Sequence, residues 1–217
     1  MTQSEMSART APRPRHERRA ETVARVLDAA SALFEERGYS AVSVADIAAR
    51  AGYTTGAVYA NFSNKDALFL AVLDRRVGHH VAALLDAYRS GSTPEEGLAS
   101  VAALYEQRLH EQFEWNLTLI EFTVRVRGDD ELRRELQHRH RASRQVFAEA
   151  IAALAADRDH QLPAPAGVIA SSLLGVGSGL LLEHLVDSDA PTVAAYRHTL
   201  FSALGVTDIA GSTHGHL

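Results

Sequence analysis

The residues of this chain best suited to recognition chemistry lie between Val44 and Phe69, in the stretch VADIAARAGYTTGAVYANFSNKDALF. The middle of this stretch combines small, hydroxyl-bearing and aromatic side chains with one amide and one cation, at Tyr53, Thr54, Thr55, Gly56, Tyr59, Asn61 and Lys65. Hydroxyl, amide and ammonium groups donate hydrogen bonds to phosphate oxygens and base edges, and a glycine lets the backbone approach a groove closely. The pattern is therefore typical of nucleic-acid recognition.

Two short helices must position these residues. Ser43 followed by Asp46 predicts the start of one helix, which buries Val44, Ile47 and Ala48. This helix must end at Gly52, because only glycine takes a positive φ without steric cost. Thr54 is placed to cap the next helix, whose buried side is Val58. The layout predicts a helix-turn-helix; an ordinary helical hairpin would leave the polar residues after Gly52 unexplained.

The flanking sequence predicts one helix before this motif and one after it. Apolar residues recur at helical spacing from about Arg18 to Arg37, and Gly38 ends that helix. Residues 1–16 contain two prolines and no apolar period, so we predict a disordered basic arm that supplies part of the cluster Arg13, Arg15, Arg18 and Arg19. Ser63, with Asp66 three residues on, predicts the cap of a helix that runs to about Tyr88.

The remaining chain predicts further helices and no strand. Their expected ranges are Pro94 to about His110, 112–127, 130–156, 166–186 and a last helix from about Pro191 to Gly205. We therefore predict an all-α fold of about nine helices. Its domains are a helix-turn-helix domain at 17–64, a helical ligand-binding and dimerisation domain at 65–208, and a frayed tail at 209–217.

Composition sets limits on cell compartment and chemistry. The chain has 217 residues, 46% of them hydrophobic, and no Cys, which fits the cytoplasm and excludes disulfides. We expect no membrane partner, because no stretch approaches the length of a membrane span. The net charge of −5 is uneven: residues through Asp66 carry nine basic and eight acidic side chains, whereas the remainder carries 13 and 19. The amino-terminal part is thus the one whose charge suits DNA.

The amino-terminal third strongly resembles the TetR family of bacterial transcriptional regulators. The resemblance covers about residues 18–75 and rests on Ala29, Ala30, Leu33, Phe34, Gly38, Tyr39, Ser43, Val44, Ile47, Ala48, Ala51, Gly52, Gly56, Val58, Tyr59, Phe62, Lys65, Leu68 and Phe69. Thr54 stands where the family often has Ser, and Asn61 where His is frequent. The resemblance implies a repressor that binds a palindromic operator in double-stranded DNA as a homodimer.

The resemblance also implies roles for single residues. Tyr53, Thr55 and Gly56 would lie near bases, while Thr54, Tyr59 and Lys65 would contact phosphates; Ser43, Asn61, Arg18 and Arg19 complete the candidate DNA contacts. Lys65 is the only Lys among 22 Lys and Arg residues, so its position favours a compact point charge over a forked one. Activation rather than repression stays open.

In the second domain, the resemblance implies a pocket for a small apolar or amphipathic effector. The candidate lining is Tyr105, Phe113, Trp115 and Phe122, with Glu121 or His138 as polar anchor; the alternative is that these are core aromatics and solvated polar groups. Small residues among the leucines of 166–186 predict a close dimer contact by the last two helices. The candidate interface is Leu174, Gly175, Ser178, Leu182, Tyr196 and Leu200.

A second hypothesis is an all-helical small-molecule-binding protein or enzyme without DNA binding. The sequence has no HExxH motif and no phosphate loop, and its adjacent His79 and His80 cannot share a helix face. The string GVGSG at 175–179 resembles part of a dinucleotide loop, but no strand precedes it. We therefore predict no catalytic residue, no metal site and no cofactor.

Overall fold

The computed structural model describes residues 14–208, apart from the side chain of His110. Over this range the chain is all-α, as predicted, with nine α-helices and no strand. The helices are α1 (Arg15–Ala41), α2 (Val44–Ala51), α3 (Thr55–Tyr59), α4 (Lys65–Ser90), α5 (Pro94–Glu111), α6 (Phe113–Arg125), α7 (Asp130–Asp157), α8 (Ala166–Val186) and α9 (Thr192–Leu204). One 3-10 turn, Val126–Gly128, joins α6 to α7.

The first helix differs from its prediction at both ends. It begins at Arg15 after Pro14 at the cap position, so Arg15 and His16 are helical rather than part of a disordered arm, and residues 1–13 of the predicted arm lie outside the described range. At its far end Gly38 has φ 77° and interrupts the helix, as expected, but a short helical turn follows it as far as Ala41. The predicted tail at 209–217 also lies outside the described residues.

Side-chain caps fix most of the helix starts. Ser43 and Asp46 form a reciprocal capping box, in which the Ser43 hydroxyl accepts from the Asp46 N–H at 3.1 Å and the Asp46 carboxylate accepts from the Ser43 N–H at 2.9 Å. The fourth helix corrects our prediction of Ser63. Because α4 begins at Lys65, Asn64 occupies the cap position, and its side-chain oxygen accepts from the Ala67 N–H at 2.7 Å.

The chain forms two compact units that divide between Phe69 and Leu70; we predicted the boundary at 64/65. In the first unit, an aromatic cluster of Phe34, Tyr39 and Phe69 fills the core, with ring centroids 5.2 to 5.8 Å apart. In the second unit, a cluster around Tyr88 and Phe201 joins α4, α5 and α9. Each unit therefore has a core of its own.

Helix α8 is the most apolar element. Its 21 residues are long and apolar enough, by length and composition, to cross a membrane, and 22% of its most apolar window is buried. Our expectation that no stretch reaches that length was therefore wrong. The large apolar side chains that α8 exposes are Val168, Leu182, Leu185 and Val186.

Candidate functional site

The turn between α2 and α3 is built as a helix-turn-helix requires. Gly52 ends α2 in the left-handed conformation, with φ 75° and ψ 32°, and the Tyr53 N–H donates to the Ala48 carbonyl at 2.9 Å. The side chains that pack beneath the turn are buried, namely Ile47, Ala48, Ala51 and Val58. These buried side chains therefore hold α3 against α2.

The start of α3 presents the predicted recognition residues together. Thr54, Thr55, Gly56 and Tyr59 are exposed, Tyr59 to 54%. The Thr54 hydroxyl accepts from the Ala57 N–H at 3.2 Å, so this residue caps the helix as predicted. A Cβ built on Gly56 would meet no atom nearer than the Thr54 hydroxyl at 3.8 Å. The surface over Gly56 is thus open to a partner.

Two cations of α1 lie against this motif. The Arg19 Nε donates to the Asn61 side-chain oxygen at 2.9 Å, and the Asn61 amide donates to the Ala57 carbonyl at 3.0 Å. The Arg25 guanidinium lies 5.2 Å from the centre of the half-buried Tyr53 ring. Sequence reasoning missed Arg25, although it lies seven residues after Arg18 and therefore on the same helix face.

Lys65 has a role within the first unit that its assignment as a phosphate contact did not anticipate. Its ammonium donates to the carbonyls of Tyr39 and Val42, each at 2.9 Å, and lies 4.2 Å from the Tyr39 ring centre. The Tyr39 hydroxyl in turn donates to the Asp66 carboxylate. Two converging carbonyls and a ring face suit a compact ammonium, which explains the single Lys; its contact with phosphate stays a prediction.

The carboxylates near the motif are held by neighbouring donors. Hydrogen bonds from Ser43 lower the pKa of Asp46 below its ordinary value. A hydrogen bond from Arg50, at 2.7 Å, similarly lowers the pKa of Glu36. Because the Ser43 hydroxyl already belongs to the capping box, its predicted contact with DNA must coexist with that bond.

The second unit contains two adjoining cavities. The first, which we call the inner cavity, has about 110 Å³ open to the centres of water-sized molecules and is lined mainly by aliphatic side chains from α4, α5, α7, α8 and α9. The second, the arginine cavity, has about 250 Å³ by the same measure and includes Arg76 and Arg108 in its lining. Five residues line both cavities: His80, Phe147, Leu173, Leu174 and Tyr196.

Two of the predicted pocket residues, Tyr105 and Trp115, line the arginine cavity. The other four line neither of these two cavities, and we correct the assignment of Phe122 and His138. Phe122 is fully buried in the core, the Phe113 ring packs edge-on to the His184 ring, and His138 is exposed on α7. Glu121 is half-buried on α6. The alternative, that these residues are core aromatics and solvated polar groups, fits Phe122 and His138.

The predicted dimer contacts are also divided by burial. Leu200 is 3% exposed within the core, and Tyr196 lines both cavities with its ring stacked 3.7 Å from that of Tyr105. Because both face the interior of their own chain, we correct their assignment to an interface. Gly175, Ser178 and Leu182 are exposed, and Ser178 also lines the arginine cavity. Leu174 is half-buried and lines both cavities.

His80 lies where the two cavities meet, and its ring makes a polar contact there. Its Nδ1 is hydrogen-bonded to Arg108. Burial and the Arg108 charge lower the pKa of His80 from 6.5 to about 4, so the ring is neutral at pH 7 and accepts from the guanidinium. Within residues 14–208, no group of three His, Asp or Glu side chains is placed to hold a metal ion.

In comparisons with known proteins, both parts of the chain match bacterial transcriptional regulators. Residues 26–72 match the model of bacterial regulatory proteins of the tetR family, and residues 94–206 match the carboxy-terminal domain of BetI-type transcriptional repressors. The chain is 39% identical over 94 residues to the transcriptional activator FasR of Mycolicibacterium smegmatis, covering 43% of this chain and 41% of that protein. It is 45% identical over 56 residues to the repressor ComR of Escherichia coli, covering 26% and 27%.

The matched parts thus span less than half of the length of these two relatives. A TetR-family regulator from Streptomyces coelicolor has the same fold over 90% of this chain and 96% of its own, with a TM-score of 0.61 and 21% identity. These matches are to transcriptional regulators and not to enzymes. The chain belongs to the TetR family and is a DNA-binding transcriptional regulator.

Proposed function

We propose that this regulator is a cytoplasmic, ligand-responsive repressor that binds a palindromic operator as a homodimer. The observation that carries the proposal is the pair of cavities in a region that matches BetI-type repressors. A small apolar or amphipathic effector would occupy these cavities. The relation to an activator from Mycolicibacterium smegmatis makes activation the competing possibility.

The start of α3 is the part that would enter the major groove. Tyr53, Thr55 and Gly56 would face bases, because the open surface over Gly56 lets the helix approach the groove floor. Phosphates would be contacted by residues around this end, namely Ser43, Thr54, Tyr59, Asn61, Lys65, Arg18 and Arg19. A helix of five residues reads few base pairs, so two copies on two half-sites are needed for specific binding.

Helix α8 would supply much of the dimer contact. Leu182, Leu185 and Val168 are 44% to 55% exposed in one chain, and a second copy would cover this apolar surface. Gly175 and Gly179 are exposed with no atom within 4 Å of a built Cβ, which leaves room for a partner helix to approach closely. Covering these side chains would also explain why so apolar a helix belongs to a DNA-binding protein.

Helix α4 would couple the effector to DNA, because Arg76 and His80 of this helix line the arginine cavity and Lys65 begins it. An effector that binds the conformation with low DNA affinity more tightly must weaken operator binding by linkage. No contact between the effector and DNA is needed.

A binding assay with the chain's own upstream DNA tests the proposal. Gly56→Leu should weaken binding about a hundredfold without unfolding the protein, because the added side chain would obstruct the groove but has open space in the first unit. Gly78→Leu is the matched control, since Gly78 is exposed on α4 and also has open space around a built Cβ. Equal affinity of both variants would contradict docking through α3.

A transcriptional reporter under the same upstream DNA separates repression from activation. Deleting the gene for this chain should raise the reporter signal, and restoring it should lower the signal. A fall on deletion would make the protein an activator. Sedimentation of the protein with operator DNA should give two chains per palindrome, and one chain per site would contradict the dimer.

A further inference from the structure

The lining of the arginine cavity contains cations and no acid. Arg76 and Arg108 line this cavity, and no Asp or Glu is among the residues that line either cavity. Burial lowers the pKa of Arg108; the charge of Glu111 raises this pKa, and the charge of Arg76 lowers it by a smaller amount. The one acid that acts on Arg108 is Glu111, which is exposed, bonded to Gln107 and outside the cavity lining. An anion in this cavity would favour the charged form of Arg108.

The hydrogen bond that Arg108 makes leaves its positive charge in place. Arg108 donates a hydrogen bond to the neutral His80 ring, and this ring contributes no negative charge. The Arg76 guanidinium lies over the face of Trp115, 4.3 Å from the ring centre. Stacking of this kind holds a guanidinium in one orientation beside the cavity.

Tyr105 adds an unused donor to the same cavity. Its hydroxyl is buried and has no hydrogen-bond partner, and its ring is fixed by stacking on Tyr196. A buried hydroxyl without a partner is unfavourable, so a ligand that offers an acceptor there would gain affinity. This second observation points to a ligand independently of the arginine charges.

The inner cavity supplies the complementary apolar space. It adjoins the arginine cavity along the five residues that both share, and its own lining is mainly leucine, valine and alanine with Ile151. A ligand that crosses this junction meets cations and a hydroxyl at one end and aliphatic carbon at the other. The two ends therefore call for opposite chemistry in one molecule.

We propose that the effector is an amphipathic anion, with a carboxylate bound by Arg108 and the Tyr105 hydroxyl and an unbranched aliphatic chain in the inner cavity. This inference rests on the proposed function in that it names the chemical class of its effector. It excludes cationic and neutral amphiphiles of the same length as preferred ligands.

Decanoate, 1-decanol and decyltrimethylammonium, each below its micelle concentration, are the matched probes. Trp115 is the only Trp of the chain and lines the arginine cavity, so its fluorescence reports occupancy. Decanoate should bind about tenfold or more tightly than either other probe, because a charge-assisted hydrogen bond is stronger than a neutral one. Equal binding of the three, or tighter binding of the cation, would overturn the proposal.

Variants locate the head group. Arg108→Gln and Tyr105→Phe should each weaken decanoate binding about fivefold or more by calorimetry, and leave 1-decanol binding unchanged. Arg133→Gln is the control, because Arg133 is exposed on α7 and pairs with Asp130 outside both cavities. Circular dichroism checks that each variant folds, and Tyr105→Phe removes only one oxygen. Unchanged decanoate binding in both folded variants would refute the assigned head-group site.

Operator binding measured with each probe separates this inference from the proposed function. Decanoate-selective binding without loss of operator affinity would support the ligand class and contradict ligand control. Release of operator by decyltrimethylammonium alone would contradict the ligand class and support ligand control.

Discussion

The two units of the chain use their aromatic side chains in different ways. In the first unit, Phe34, Tyr39 and Phe69 pack against one another and are almost fully buried. In the second unit, Tyr105 and Trp115 border a cavity. Of the eleven largest fully buried side chains among the described residues, eight belong to the first unit and three to the second, although the second unit is the longer.

This difference fits two different tasks. A dense core with few gaps resists deformation, which suits a unit that must hold α3 in one orientation against DNA. Side chains that line a cavity make fewer contacts than side chains in a dense core. Polar groups at a cavity, such as the Tyr105 hydroxyl, can also be left without partners. The second unit thereby keeps space and unused hydrogen-bonding capacity, and a ligand can supply what the chain does not.

The largest expected effect tests the packing directly. Phe34→Ala should lower the free energy of unfolding by about 4 kcal/mol, because it opens a cavity in a fully buried cluster. Ile151→Ala, at a residue that already borders the inner cavity, should cost about 1.5 kcal/mol or less. Urea titration followed by circular dichroism measures both. Equal losses would mean that the cavities do not weaken packing in the second unit.

The second prediction concerns pH and the buried His80. The folded pKa of about 4 lies below the ordinary 6.5, so between these values the unfolded chain binds more protons than the folded one. The free energy of unfolding therefore falls as the pH is lowered from 6.5 towards 4. At pH 4.5 we expect it to be lower than at pH 7 by about 2 to 3 kcal/mol.

Urea titration at pH 7 and pH 4.5 measures this effect as the difference between the wild type and His80→Gln, which keeps an acceptor for Arg108. The variant should lose less stability on acidification than the wild type. His79→Gln is the control, because His79 is the adjacent residue and is exposed. An acid response of His80→Gln as large as that of the wild type would show that His80 is not held neutral by the second unit.

The third prediction asks what the single lysine does. Lys65→Met should destabilise the protein by about 2 kcal/mol, because the carbonyls of Tyr39 and Val42 lose a charged donor. Lys65→Arg should cost about 1 kcal/mol, since a planar fork fits the two carbonyls less well. Arg133→Met, at an exposed ion pair, should change stability by less than about 0.5 kcal/mol. Full stability of Lys65→Met together with lost operator affinity would assign the ammonium to phosphate instead.

Sequence patterns predicted those parts of the fold that local chemistry decides. The bounds of α8 at 166 and 186 agree with prediction because Pro165 precedes the helix and Asp187 follows it. The capping residues Ser43 and Thr54 were found because each bonds a backbone N–H only three residues away. The exception is Ser63, where two adjacent capping residues left a choice that the structure resolves in favour of Asn64.

Contacts between distant residues could not be predicted in this way. The partners of Lys65 lie 26 and 23 residues earlier, so no local pattern links them. Sequence patterns predicted helices around Phe122 and Tyr196, but they do not show whether a side chain of such a helix meets a gap, the core or a partner. Tyr196 therefore lines the cavities rather than the predicted interface, and Phe122 packs in the core rather than in the predicted pocket.

The smallest expected effects come from one chemical change made in each unit. Tyr39→Phe removes a hydroxyl that donates to the Asp66 carboxylate, and it should lower the free energy of unfolding by about 1.5 kcal/mol. Tyr105→Phe removes a buried hydroxyl without a partner, so stability should stay within about 0.5 kcal/mol of the wild type or rise slightly. Thermal and urea unfolding of both variants measures the pair. A loss at Tyr105 as large as at Tyr39 would show that its hydroxyl is already satisfied in solution, and the second unit would then have no unused donor for a ligand to engage.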